Sequence, residues 1–283
     1  MRFFARTIGI PFAVLLVLAG CGSTRVPDPA VGDTGTSPPA KTEPGTSAAP
    51  KETVELTVSA AASLTDALKD IEKAYEAKQN HIRLTFNFGA SGSLQQQIEQ
   101  GAPADLFLSA APKYMQALVD KGLVDRGRQT TLLTNELVVV TPADAQTAAA
   151  SMADLTKGTV RNVAIGVPAS VPAGAYAQEA LQKAQLWDAL KAKLVQAKDV
   201  RQVLQYVETG NADAGFVYKT DALTSRKVRI AFAVEAGTYT PVEYPAGVVQ
   251  ATKHAPEAEA FYRYLQSPEV LEIFGRYGFS LPK

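Results

Sequence analysis

A two-lobed α/β fold, with mixed, mostly parallel sheets flanked by helices, is predicted by three features of this chain. Strand-like and helix-like segments alternate along most of its length, as expected of βαβ units. From Val54 onward there are about 230 residues, room enough for two lobes. An apolar strand at Leu137–Val140 and a late one at Tyr244–Val249 bracket a second α/β region. If the first leads into that region and the second leads back, the chain crosses twice and leaves a cleft between lobes, where ligands lie at the ends of parallel strands.

The N-terminal segment stands apart from this body. Arg2 and Arg6 give a positive start, and Ile8 to Leu18 form an apolar stretch broken only by Gly9 and Pro11. The stretch is shorter than the ~20 apolar residues of a bilayer span, so residues 1–20 read as a signal peptide. Leu18-Ala19-Gly20-Cys21 follows and resembles a bacterial lipobox. That resemblance implies cleavage before Cys21 and acylation of its sulfur and amine. Cys21 is the sole cysteine, which excludes a disulfide framework and a thiolate metal cluster. Residues 21–52 are rich in Pro, Gly, Ser, Thr and Ala. Such a segment cannot bury enough surface to offset its ordering entropy, and it reads as a disordered tether.

The body follows in order. Val54–Val58 alternates apolar and polar residues as a strand does, and Leu64, Ala67, Leu68, Ile71, Ala74 and Tyr75 then mark a helical stripe. His81–Phe88 is a second strand, Leu94–Gln100 a short helix, Ala104–Ser109 a third strand and Lys113–Lys121 a third helix. After Leu137–Val140 come a strand at Asn162–Val167, helices at Ala175–Gln185 and Val200–Thr209, and a strand at Ala214–Tyr218. Tyr244–Val249 and a helix pair over Pro256–Gly275 complete the chain. The lobes are expected at 53–137 with 245–283, and at 138–244.

Four segments place a small or hydroxylated residue just before a helix: Ala62-Ser63, Ser91-Gly92-Ser93, Pro172-Ala173-Gly174 and Asp199-Val200. Helix starts expose unpaired N–H groups and the positive end of the macrodipole. Several such starts facing one cleft make an anion site without a full charge. Taken singly, each has a plain structural reading: Ser63 and Ser91 as N-caps, Pro-Ala-Gly as a turn, and Tyr218 as a half-buried core tyrosine. The nearby cations Arg201 and Lys219 are expected to face solvent or the lobe surface.

Their joint occurrence carries a family resemblance. Ala60-Ala61-Ala62-Ser63-Leu64-Thr65-Asp66-Ala67, Phe88-Gly89-Ala90-Ser91-Gly92-Ser93-Leu94 and Gln97-Ile98-Glu99-Gln100-Gly101-Ala102-Pro103-Ala104-Asp105-Leu106-Phe107 resemble the periplasmic molybdate-binding family. So do Val171-Pro172-Ala173-Gly174-Ala175-Tyr176-Ala177, Val217-Tyr218-Lys219-Thr220-Asp221-Ala222 and Ile273-Phe274-Gly275-Arg276-Tyr277-Gly278-Phe279. The resemblance implies a type II periplasmic-binding-protein fold, with molybdate or tungstate held in the inter-lobe cleft and passed to a cognate ABC permease. It implies a monomer, no cofactor, and molybdenum bound only as its oxyanion. Carried over, Ser63 and Ser91 match positions giving hydroxyl and N–H donors, Ala173 and Val200 match backbone N–H donors, and Tyr218 matches a phenolic donor. Gly92 and Ser93 stand where many relatives carry Ser and Thr. The lipobox departs from soluble periplasmic members and implies a variant anchored on the extracytoplasmic face.

Other function classes meet obstacles. With 28 basic and 28 acidic residues the chain has no global basic field, which argues against nucleic acid. A serine hydrolase built on Ser63 or Ser91 would need His81 or His254, and neither serine sits in a nucleophile elbow. Phosphate-loop and dinucleotide fingerprints are missing from the sequence. Within the receptor class sulfate stays open, because it shares the charge and shape of molybdate.

Overall fold

The alternation read from the sequence is realised as two five-stranded sheets in a computed structural model that describes residues 52–145 and 149–282. The signal segment, Cys21 and all but the last residue of the tether lie outside the described residues. Among the described residues no helix is long and apolar enough to cross a membrane.

The chain begins with β1 (Val54–Ala61), which passes through a 3-10 turn (Ala62–Leu64) into α1 (Thr65–Lys78). Next come β2 (Ile82–Gly89), α2 (Ser91–Glu99), β3 (Leu106–Leu108), α3 (Pro112–Asp120) and β4 (Val124–Asn135). The second lobe holds β5 (Leu137–Pro142), β6 (Val163–Gly166), α4 (Pro172–Lys183), α5 (Trp187–Leu190) and β7 (Leu194–Ala197). It continues through α6 (Val200–Glu208), β8 (Ala214–Tyr218), α7 (Lys219–Leu223) and β9 (Val228–Ala233). The chain then returns as β10 (Val242–Val249) and closes with α8 (Ala255–Tyr264) and α9 (Pro268–Arg276).

The sheet orders are β2-β1-β3-β10-β4 and β7-β6-β8-β5-β9. In the first sheet β2, β1 and β3 are parallel, and β10 runs against both β3 and β4. The second repeats the plan, with β7, β6 and β8 parallel and β5 running against β8 and β9. Each sheet is therefore mixed, with a single strand opposed to the rest. The reversed strands β5 and β10 are those by which the chain enters the second lobe and leaves it.

Packing follows the apolar periodicity. Leu56, Val58 and Ala60 of β1 are buried, as are Ala67, Leu68, Ile71 and Tyr75 on one stripe of α1. Burying such a side chain contributes roughly 1.5–3 kcal/mol, which holds the helix against the sheet more firmly than helix propensity does. In the second lobe α4 lies so close to the end of β6 that a Cβ on Gly174 would stand 2.0 Å from the Gly166 carbonyl oxygen. The glycine therefore lets the start of α4 approach the strand end.

Two details differ from the sequence reading. Leu137 pairs with Tyr218 in the second sheet, and Val242–Tyr244 pair with Asn135–Leu133 in the first. The crossings therefore lie at Glu136 and between Ala233 and Val242, slightly N-terminal of the boundaries expected at 137/138 and 244/245. The sequence reading also lacks the strands β4, β7 and β9, and of these β4 and β7 carry no clear apolar alternation. Most of β4 is exposed or half-buried, so its strand form comes from pairing with β10 and not from its own side chains.

Candidate functional site

The C-terminal ends of the parallel strands of both sheets converge on one small cavity. From the first lobe, the end of β1 leads to Ser63, the end of β2 to Ser91, and the end of β3 to Ala110; all three line it. From the second lobe, Pro172 and Ala173 at the start of α4, Val200 at the start of α6, and Tyr218 at the end of β8 line the opposite side. The structure thus brings together all five residues singled out in the sequence: Ser63, Ser91, Ala173, Val200 and Tyr218. All five are buried. The space offers about 10 Å³ to the centre of a water-sized sphere, the scale of one small occupant and far below the 300–1,000 Å³ typical of organic ligands.

The donors are set by local structure. Ser63 is the middle residue of the 3-10 turn and Ser91 is the first residue of α2, so both lie within the helical turns and not before them. Neither caps its helix through its side chain; the N-cap reading of these serines is not what the structure shows. Ala173 is the second residue of α4 and Val200 the first of α6. Their N–H groups belong to first turns, which have no intrahelical acceptor. Asp199 caps α6 by accepting the Gln202 N–H at 2.8 Å, which aims the Val200 amide.

Hydroxyl polarity is also constrained. Ser91 Oγ accepts the Ala110 N–H at 2.9 Å, so its own proton is left to donate elsewhere. Tyr218 Oη is buried and has no hydrogen-bond partner among the described residues. Burial holds the Tyr218 phenol well above its ordinary pKa, so it stays a neutral O–H donor. An unpartnered buried hydroxyl costs about 1–3 kcal/mol, which a bound acceptor would recover. No residue lining this cavity carries a charge.

The lobes meet around the site. Gly92 N–H donates to the Ser170 carbonyl at 2.9 Å, Tyr114 Oη to the Ala169 carbonyl at 3.1 Å, and Tyr176 Oη to the Ala110 carbonyl at 3.3 Å. A Cβ on Gly92 would lie 2.8 Å from Ser170 O, so the glycine permits this approach of the two backbones.

Arg201 departs from expectation. It does not face solvent: its Nε lies 2.8 Å from Asp221 Oδ1, and its Nη2 lies 2.6 Å from Asp66 Oδ2 on the other lobe. The fully buried Asp221 draws the guanidinium inward, because a buried carboxylate needs a partner. Lys219 pairs at the surface with Glu136 at 3.3 Å, as expected. Sequence reading also passed over Asn135 and Tyr244, which stand behind Ser63. Tyr244 was visible only as the start of an apolar strand, and Asn135 offered no local signal. Neither His81 nor His254 lines the cavity, so Ser63 and Ser91 have no imidazole beside them there and a hydrolase dyad is not formed. Among the described residues no cluster of His, Cys, Asp or Glu is placed to hold a metal ion.

The model of the bacterial extracellular solute-binding protein family matches residues 56–280. The chain belongs to that family. Its members are extracellular solute-binding proteins and not enzymes. A Bacillus subtilis protein provisionally named ABC transporter substrate-binding lipoprotein YvgL is 52% identical, over 80% of this chain and 86% of its own. The molybdate-binding protein ModA of Escherichia coli is 42% identical over 80% of this chain and 89% of its own. The solved periplasmic molybdate-binding protein of Azotobacter vinelandii superposes with a TM-score of 0.74 at 26% identity, covering 81% of this chain and all of the other. Two-lobed architecture and extracellular solute binding are thus properties of this chain.

Proposed function

We propose that this protein is the substrate receptor of an ABC importer and that its cargo is molybdate, with tungstate also accepted. The observation that carries the reading is the uncharged cavity at which Ser63 and Ser91 of one lobe meet Ala173, Val200 and Tyr218 of the other. A buried dianion needs each oxygen satisfied, and every hydrogen bond to a charged group contributes about 1.5–3 kcal/mol. Fixed N–H and O–H donors supply this without a lysine or arginine, whose point charge would attract anions of any shape. The names of the relatives favour molybdate over sulfate. In the same reading, Cys21 carries a lipid that anchors a monomer on the extracytoplasmic face, the partner is a membrane permease, and no cofactor is used.

Thermal melting of the purified protein tests the assignment. Micromolar molybdate or tungstate is expected to raise the melting temperature by binding only the native state, and sulfate at the same concentration is not. A rise with sulfate alone would transfer the assignment to sulfate. An unchanged curve with all three anions would remove the receptor reading.

A further inference from the structure

Behind Ser63 lies a chain of side chains that reaches the crossing between the lobes. Ser63 Oγ and Tyr244 Oη are 2.9 Å apart. Asn135 Nδ2 lies 3.2 Å from the same Tyr244 oxygen and 2.8 Å from Thr220 Oγ1. On its other side, Asn135 Oδ1 accepts the Glu136 N–H at 2.9 Å. Tyr244 is fully buried, and burial holds its phenol well above the ordinary pKa.

These contacts restrict the direction of each proton in the chain. The Asn135 carbonyl oxygen accepts the Glu136 N–H, and the amide nitrogen faces Tyr244 and Thr220. An amide nitrogen carries two hydrogens and accepts none, so Tyr244 Oη must accept one of them. Tyr244 is buried, and Ser63 Oγ is the one acceptor within hydrogen-bond reach of its oxygen among the described residues, so the phenolic proton goes there. Ser63, having accepted, turns its own proton away from Tyr244 and toward the cavity it lines.

We propose that Asn135 and Tyr244 are positioning residues that force Ser63 to act as a donor toward the bound anion. Asn135 is the last residue of β4, next to the crossing, and its second hydrogen goes to Thr220 of α7 in the second lobe. The amide is therefore held in this orientation by contacts to both lobes. The polarity of Ser63 is complete when the lobes are together. Ser63 thus turns its proton toward the cavity, which matches a bare oxygen of the anion. The inference rests on the receptor reading above and names how one of its donors is oriented.

A double-mutant cycle in calorimetric molybdate titrations tests it, using the full-length protein, Ser63→Ala, Tyr244→Phe and the double variant. Tyr244→Phe alone is expected to weaken binding ~10-fold, the order of one hydrogen bond, and to have almost no further effect once Ser63 is alanine. Equal fold-losses in the two backgrounds would show that Tyr244 only supports the fold, and would overturn the proposal. If Tyr244→Phe melts early without ligand, Asn135→Ala replaces it in the same cycle. The same coupling to Ser63 supports the relay, and additivity overturns it. Wild-type protein that binds neither molybdate, tungstate nor sulfate would remove the receptor reading and this inference with it. Binding with additive losses would remove this inference alone.

Discussion

The Arg201 guanidinium, carried by the second lobe, lies 2.6 Å from the Asp66 carboxylate of the first while its Nε lies 2.8 Å from Asp221. One cation therefore joins a buried carboxylate of its own lobe to a half-exposed one across the cleft. The two halves of this bridge differ in worth. Asp221 is fully buried, so its partner offsets a large desolvation cost. Asp66 is accessible to solvent, and its pairing contributes less.

Removing the cation should expose this difference. Arg201→Ala leaves Asp221 buried and unpaired, with an expected loss of about 3 kcal/mol in urea unfolding. Asp66→Asn breaks only the cross-cleft contact. Its unfolding free energy should fall by less than about 1 kcal/mol, while stopped-flow anion release becomes faster. Equal destabilisation by both variants would contradict this division.

Asp221 also makes stability depend on pH. Burial is the main cause that lifts its carboxyl from 3.8 to about 6, against the opposing pull of Arg201. The folded state thus holds the proton more tightly than the unfolded chain does. The stabilisation this gives is fully present below pH 3.8 and is lost as the pH rises through about 6. Asp221→Asn cannot titrate. Denaturation across this window should show wild type losing ground to the variant as pH rises, by about 3 kcal/mol, with no further change above it. Asp70 and Asp154 are held below the ordinary range by Tyr277 and Lys157. Both are common to the two proteins and cancel in the difference.

At the cavity, Ser91→Ala and Tyr218→Phe each remove one hydroxyl donor and little volume. Each is expected to weaken molybdate binding by roughly 10- to 100-fold, the equivalent of about 1.5–3 kcal/mol for a hydrogen bond to a charged group. The two differ in the ligand-free protein. Tyr218→Phe deletes an unpartnered buried oxygen and should not lower the melting temperature. Ser91→Ala strands the Ala110 N–H and should lower it. Calorimetry and melting curves on the same samples check both statements.

Much of this was legible along the chain. Alternating segments from Val54 onward and the long apolar stripe of α1 specify α/β lobes, because each element's periodicity depends only on which of its own faces is buried. The small residues at four helix starts could be read for the same reason, since capping and turn chemistry act over a few residues. Tertiary structure alone decided the rest. The polar strand β4 exists because β10 pairs with it. Arg201 turns inward because Asp221, twenty residues away in sequence, is buried beside it. Asn135 reaches Ser63 through Tyr244, residues 135, 63 and 244 of one chain, and no periodicity connects positions so far apart. Whether four helix starts and a tyrosine form one site or five unrelated caps depends on where two sheets end in space. That is settled by long-range packing, which brings the strand ends of both lobes to the same cavity.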